Sequence, residues 1–329
     1  MKTKKVITAS PGLSGSGLIS DFLLSGDDFE TPFTNLLKGN HQAEFRFVHD
    51  PGGLYSLYKG FYDNFSITNS SYVFDEFNKY IEKLKKFSII KNKKKILLYD
   101  KFFFYLIEKF KKKIIKIEYY GLPQFYRLGL SRKERILWRL TNKFKSAQDV
   151  KFFKMIIPVN EDLFIKEAKN LLEQYFKKTN NNKKKIVLDQ GANFWNPNAS
   201  LIFYENAKVI LVTRDPRSVF SSMKKRKSLS YPGHDVKIFI NWYQAIMEKF
   251  EKINNSKNVM KIHYENFILN HVKEKKKLLN FIGLKKDSKF KYDIKSSEKN
   301  IFKAKKNLFK YELNIIESKL KKYLQWPKN

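Results

Sequence analysis

The chain has 329 residues, with 66 lysines and arginines against 32 acidic residues and a formal charge of +34. It has no cysteine, which excludes disulfides, thiol nucleophiles and cysteine–zinc sites and agrees with a reducing compartment. A surface this basic attracts polyanions, yet the excess is mostly lysine in a chain also crowded with Asn, Ile, Phe and Tyr, the mixture of an AT-rich coding sequence, so charge alone does not name the partner.

In chain order, residues 5–9 (Lys-Val-Ile-Thr-Ala) read as a short strand, and Ser10-Pro11-Gly12-Leu13-Ser14-Gly15-Ser16-Gly17 follows, leading into the apolar start of a helix at Leu18. Three glycines at a strand-to-helix turn let the backbone approach an anion closely, with amides and serine hydroxyls turned toward it. Gly12 and Gly17 have the spacing of the phosphate loop of nucleoside triphosphatases. Leu18 and Ile19, however, stand where that motif needs Lys and Ser or Thr, so kinase and ATPase chemistry lacks its usual parts. The first residues lack the apolar core and cleavage site of a signal peptide, and no stretch approaches the roughly 18 apolar residues of a membrane span. A cytoplasmic protein is expected, within reach of the inner face of the membrane.

Residues 43–53 follow the first helix and bring Glu44, Arg46, His49 and Asp50 close together in sequence. Residues 102–116 interleave aromatics with lysines, which suits single-stranded nucleic acid or an anionic membrane, or equally a solvated basic face behind an apolar one. Residues 184–189, 207–213 and 259–262 read as strands of a sheet, with 152–159 as a weaker one. Helical periodicity runs through 160–178 and 235–253. This alternation argues a parallel sheet covered on both faces, and Asn180-Asn181-Asn182-Lys183 is a polar loop within it. The five histidines (41, 49, 234, 263 and 271) show no metal-ligand spacing, so no metal is expected.

The strand at 207–213 delivers Arg214 to the carboxyl edge of the sheet, where open α/β folds bind ligands. Asp215 and Pro216 read as the N-cap and first residue of the next helix. Ser222, eight residues past Arg214, falls two turns into that helix, so a guanidinium and a hydroxyl can converge on one phosphate. Asp189 ends another strand on the same edge, just before Gly191.

Together the glycine-rich turn and the Arg214-Asp215-Pro216-Arg217 segment resemble the sulfotransferase family, whose members move a sulfuryl group from 3′-phosphoadenosine 5′-phosphosulfate (PAPS) to an acceptor. Residues 259–267 and 278–284 are similar to the family's later strand and helix, and residues 303–308 to a late basic loop over the nucleotide. The resemblance implies an α/β fold, a three-layer α/β/α unit with a central parallel sheet and the topology of P-loop nucleoside triphosphatases. It also implies a single domain over 1–329, with a helical acceptor-recognition insertion at 55–180. It assigns Gly12, Leu13, Ser14, Gly15, Ser16, Gly17 and Leu18 to the 5′-phosphosulfate and Arg214 and Ser222 to the 3′-phosphate, with Lys305 and Lys306 covering the nucleotide. PAPS is then the donor and PAP the product, with no metal. The family's loop cation is replaced by Leu13, and Lys2, Lys4, Arg46 and Lys154 are the candidates to stand in for it. For the base, Glu44 comes first, since Glu44 and Arg46 are similar to the Glu-x-Arg segment of protein-tyrosine sulfotransferases. His49 and then Asp189 follow. Family habit makes the acceptor a hydroxyl of a bacterial surface polysaccharide or glycolipid, with contact to an anionic membrane surface and no specific nucleic acid. An inactive nucleotide-binding relative and a basic nucleic-acid-binding protein are the alternatives.

Overall fold

Strand β1 (Lys5–Ala9) is buried along its whole length, and β4 (Ala207–Thr213) at all but one position, as parallel strands covered on both faces must be. Even Lys5 is withdrawn from solvent; its Nζ donates to the Glu205 carbonyl at 2.9 Å and lies 5.7 Å from the Phe176 ring centroid. The computed structural model describes residues 4–33, 43–91, 94–121, 130–142, 153–179, 185–227, 230–284 and 289–326. These fall into two units, one of Met1–Arg46 with Phe176–Asn329 and one of Phe47–Tyr175.

The first unit is built on five parallel strands: β1, β2 (Phe29–Glu30), β3 (Lys185–Asp189), β4 and β5 (Val259–His263), in the spatial order β2-β3-β1-β4-β5. The chain passes from β1 outward to β2, returns to β3, then crosses to β4 on the other side of β1. That reversal makes the carboxyl ends of β1 and β4 the switch point, the place where open α/β sheets bind ligands. The registers Thr8↔Asp189, Ala9↔Leu211 and Thr213↔His263 bring the segments after β1, β3, β4 and β5 out at one edge. Helix α1 (Ser16–Leu24) packs Leu18, Ile19, Phe22 and Leu23 inward, and further helices flank the sheet. These are α2 (Pro216–Arg226), α3 (Val236–Glu251), α4 (His271–Ile282), α5 (Lys303–Asn307) and α6 (Lys310–Lys319). The α/β class with a parallel sheet is the one expected.

The second unit holds the helices Leu54–Tyr62, Ile67–Lys86, Lys101–Ile114 and Arg132–Asn142 and most of Glu161–Thr179. It also holds two antiparallel ribbons, Ser88–Lys91 with Lys94–Leu97 and Ile115–Gly121 with Phe153–Pro158. The segment expected as a weaker strand of the parallel sheet is therefore a ribbon strand instead. Its apolar run states that it is a strand but not with what it pairs, and its partner lies at the end of the lysine-aromatic stretch. That stretch is mostly helix: Phe103, Leu106, Ile107, Phe110 and Ile114 are buried while Tyr105, Lys109, Lys112 and Lys113 face out, the blander of its two readings. The polar loop at 180–183 lies outside the described residues, as do Lys2 and His41.

Candidate functional site

The turn after β1 owes its shape to two residues in the left-handed region, Leu13 at φ 57° and Gly15 at φ 91°. Such a turn curls successive N–H groups toward one point, an anion-binding nest continued by the first turn of α1. Among the described residues the amides of Gly12 through Gly17 donate no hydrogen bond. The serines behave differently from the sequence expectation, because their hydroxyls brace the turn. Ser14 Oγ donates to the Pro11 carbonyl at 2.5 Å and Ser10 Oγ to Ser16 Oγ at 3.1 Å. Gln190, itself left-handed at φ 52°, clamps the turn from the neighbouring strand end: its Nε2 donates to Ser10 Oγ and Ser16 Oγ, each at 3.0 Å.

Two of the glycines answer to aromatic rings. A Cβ on Gly12 would lie 2.3 Å from Tyr231 Cζ, and a Cβ on Gly15 would lie 2.3 Å from Tyr264 Cδ2. Tyr264 opens a short helix, Tyr264–Leu269, directly after β5, and its ring also carries the Arg214 guanidinium, whose central carbon is 4.6 Å from the centroid. The nest and the arginine thus rest against one side chain.

Arg214 is 9% exposed. Its Nη1 donates to Ser222 Oγ at 3.4 Å and its Nη2 to the Asn300 carbonyl at 2.8 Å, while Tyr243 Oη donates to the Arg214 carbonyl at 2.7 Å. Its Nε lies 3.8 Å from Glu265 Oε1, and neither atom has a hydrogen-bond partner among the described residues. Glu265 is wholly buried, its other oxygen accepting from the Asp215 N–H at 3.1 Å. Burial first, then the Asp215 charge, pushes its carboxyl up to about 7 against the opposing pull of Arg214.

Glu44 forms a parallel bridge with Asp189, and Phe45 N–H donates to the Asp189 carbonyl at 2.8 Å, so Glu44 reaches the same carboxyl edge. Its Oε2 accepts from Arg46 Nη1 at 2.7 Å, and both side chains are 44% exposed. The Asp189 carboxylate is turned inward, accepting from Thr8 Oγ1 at 2.8 Å and Ser20 Oγ at 3.2 Å. Burial raises its pKa, the hydroxyls of Thr8, Ser16 and Ser20 pull it down, and Glu44 adds to the rise. Such a group braces β1 against α1 rather than meeting an acceptor. Burial and Asp189 likewise push Asp21 up to about 6. His49 belongs to the second unit, with Nε2 3.9 Å from Asp50 Oδ1.

The cations sort as sharply. Lys4 sits at the amino end of β1, its carbonyl accepting from Ile186 N–H, a whole strand away from the turn. Lys154 lies in the second unit, paired to Glu118 at 2.7 Å. Arg46 stays at the carboxyl edge beside Glu44. Lys305 and Lys306 are on α5, a short helix where a loop was expected, and Lys305 Nζ lies 5.5 Å from the Trp326 ring centroid. Gln190 carries much of the geometry without any motif to announce it, its one signal being its position immediately after β3. Tyr264 and Glu265 fall in the 259–267 stretch singled out by resemblance, which gave them no part in the site.

Residues 124–288, half of the chain, match the sequence model of a family described as "Sulfotransferase family". Two curated sequences named putative protein-tyrosine sulfotransferase, from Caenorhabditis elegans and Caenorhabditis briggsae, are each 33% identical over 86 residues. That is 25% of this chain and 33% and 30% of theirs, so the match spans about a third of the curated relatives. Among solved structures, the sulfotransferase domain of the curacin biosynthetic pathway is 13% identical at TM-score 0.40, covering 99% of both chains. Retinol dehydratase in complex with retinol and PAP is 11% identical at TM-score 0.36, covering 99% of this chain and 84% of its own.

The raised Glu265 carboxyl gives a pH signature. Between its ordinary value and about 7 the folded state keeps a proton that the unfolded chain has released, so stability falls as pH rises through that window. Glu265→Gln removes this dependence. Its stability relative to the parent chain is expected to gain about 3 kcal/mol from pH 4.5 to 7.5 in urea denaturation, and parallel pH profiles would show that the carboxyl does not titrate there.

Proposed function

The chain belongs to the sulfotransferase family, and from that premise we propose that it transfers a sulfuryl group from PAPS to an acceptor hydroxyl and releases PAP. The observation that carries this reading is the Tyr264 ring in contact with both Gly15 and Arg214. Two anion-binding features stand one side chain apart at the carboxyl edge of the sheet. They suit a nucleotide with a phosphosulfate at one end and a phosphate at the other.

In this reading the amides of residues 12–17 and the start of α1 hold the 5′ end. Arg214 and Ser222 hold the 3′-phosphate, with Lys305 and Lys306 on its outer side. Glu44 takes the acceptor proton as the acceptor oxygen bonds to sulfur and the bond from sulfur to the bridging oxygen of the nucleotide breaks. Arg46 stands in for the loop cation that Leu13 replaces. It is the described candidate that stays at this edge, and its hydrogen bond to Glu44 links the positive charge to the base.

Two variants test the nucleotide and catalytic roles separately. Arg214→Ala is expected to weaken PAP binding about 30-fold by titration calorimetry while AMP, which lacks the 3′-phosphate, changes within about twofold. Unchanged PAP affinity would overturn the assignment. Glu44→Gln is expected to bind PAP as before and to lower kcat by about two to four orders of magnitude. Full turnover in this variant would remove Glu44 from the mechanism, and PAP binding by the parent chain without turnover on any acceptor would favour an inactive relative.

For the acceptor we propose a sugar hydroxyl of a surface polysaccharide or glycolipid, with recognition lodged in the second unit. The hydrogen-bonded Glu44–Arg46 pair supports a second acceptor, a tyrosine phenol, the class in the names of the two nematode relatives. Contact with an anionic membrane is supported by the Arg132–Asn142 helix. There Ile136, Leu137 and Leu140 are each more than half exposed, beside Arg132, Lys133, Arg135 and Arg139. Leu137→Glu combined with Leu140→Glu is expected to cut co-sedimentation with phosphatidylglycerol vesicles at least about fivefold. Equal binding of the parent chain to phosphatidylcholine vesicles would refute an anionic surface as the target.

A further inference from the structure

Arg217 is fully buried, and each nitrogen of its guanidinium donates inside the protein. Nε and Nη2 donate to the two carboxylate oxygens of Asp215 at 2.9 and 2.8 Å, and Nη1 donates to Glu317 Oε1 at 2.6 Å. Nη2 also donates to the Trp326 carbonyl at 2.7 Å, and the guanidinium carbon lies 3.3 Å from the Trp326 ring centroid. The same Asp215 accepts from Gln325 N–H at 2.8 Å. One turn of sequence, Asp215 to Arg217, therefore fixes a tryptophan more than a hundred residues away.

The segment between is fastened to the same place. Arg214 Nη2 donates to the Asn300 carbonyl at 2.8 Å, Ser218 Oγ to the Ile301 carbonyl at 3.0 Å, and Asn307 Nδ2 to Ser221 Oγ at 3.2 Å. Further along, Lys224 Nζ holds both carboxylate oxygens of Glu312 at 2.8 Å. Phe302 meets the Trp326 ring edge-on, with centroids 5.5 Å apart, and Lys305 Nζ lies 5.6 Å from the first ring and 5.5 Å from the second.

We infer that Arg217 and Trp326 are positioning residues for the 3′-phosphate, holding residues 300–326 as a strap that sets Arg214 from one side and Lys305 from the other. This rests on the nucleotide reading given above. A buried arginine–carboxylate pair adds little net stability over apolar side chains of similar volume. What the rigid planar fork supplies is orientation, here of an indole face and of the backbone carbonyl that receives Arg214. Arg217 hydrogen-bonds Asp215, Glu317 and the Trp326 carbonyl, and Trp326 meets it with its ring face, so both act through their neighbours.

The test compares the full-length parent chain with Trp326→Leu and Trp326→Phe by calorimetric titration of PAP and of AMP, at a temperature where circular dichroism shows each folded. Trp326→Leu keeps much of the apolar volume and loses the aromatic face. It is expected to weaken PAP about tenfold and AMP less than about twofold, while Trp326→Phe stays within about threefold of the parent for both. A residue that only stabilises the fold would lower the melting temperature and leave the PAP-to-AMP ratio unchanged, and that result would overturn the inference. If Trp326→Leu does not fold, Arg217→Lys, which keeps the charge without the fork, is read by the same ratio. Failure of the parent chain to bind PAP would overturn the nucleotide reading and this inference together. PAP binding by the parent with an unmoved ratio in the variants would overturn this inference alone.

Discussion

The Tyr264 ring is the contact on which the nucleotide-side geometry depends. It lies where a side chain on residue 15 would have to be, and it supports the Arg214 guanidinium. The turn after β1 can take its left-handed step at residue 15 against that ring only because glycine brings no Cβ to it. The register of β4 with β5 places Thr213 opposite His263, so Arg214 and Tyr264 each follow a paired position and emerge side by side. Backbone pairing thus brings the ring and the arginine together, and the ring brings in the turn.

Charge near Arg214 is balanced on a narrow margin. Glu265 faces its Nε from below, wholly buried and raised to about 7, while Asn300 and Ser222 occupy the outer nitrogens. An ionised Glu265 and an incoming phosphate compete for the same cation. Burial favours the neutral carboxyl and so leaves the guanidinium charge for the anion, at a cost to the folded state as pH rises. Asp189 and Asp21 beneath the turn are raised by burial as well, and the hydroxyls that donate to Asp189 oppose that rise.

Much of the sheet was legible in the sequence because its strands are short apolar runs followed by helix-start chemistry at Asp215-Pro216 and by glycines after residue 11. The nest was legible by composition, and Arg214 with Ser222 by helical spacing. What the sequence withheld was long-range. Arg217 reads as a surface charge until Trp326 and Glu317 are seen to enclose it, and Gln190 reads as a loop residue until it bonds across to Ser10 and Ser16. Residues 153–158 were legible as a strand, yet their antiparallel partner at 115–121 follows a helix without a break, and its alternation Ile115-Lys116-Ile117-Glu118-Tyr119 names a strand but not its partner. Asp189 ended its strand as expected, but only coordinates show its carboxylate turned inward toward Thr8 and Ser20.

The large positive charge and the site make use of two different kinds of cation. The excess is lysine, and the exposed pairs it forms, such as Lys79 with Asp75 or Lys85 with Glu82, are solvent-screened and contribute little to stability. Beyond roughly 8 Å at physiological salt their individual fields fade, so collectively they raise the rate at which any polyanion arrives without selecting among them. Arg214 is different in kind: 9% exposed, backed by an aromatic face and oriented by a backbone carbonyl, it is screened less by salt than the surface lysines. Attraction to polyanions follows from the lysines, whereas discrimination between one phosphate and another can come only from a cation held in a fixed direction. The buried Asp215–Arg217 pair, through the strap it anchors, is what fixes that direction.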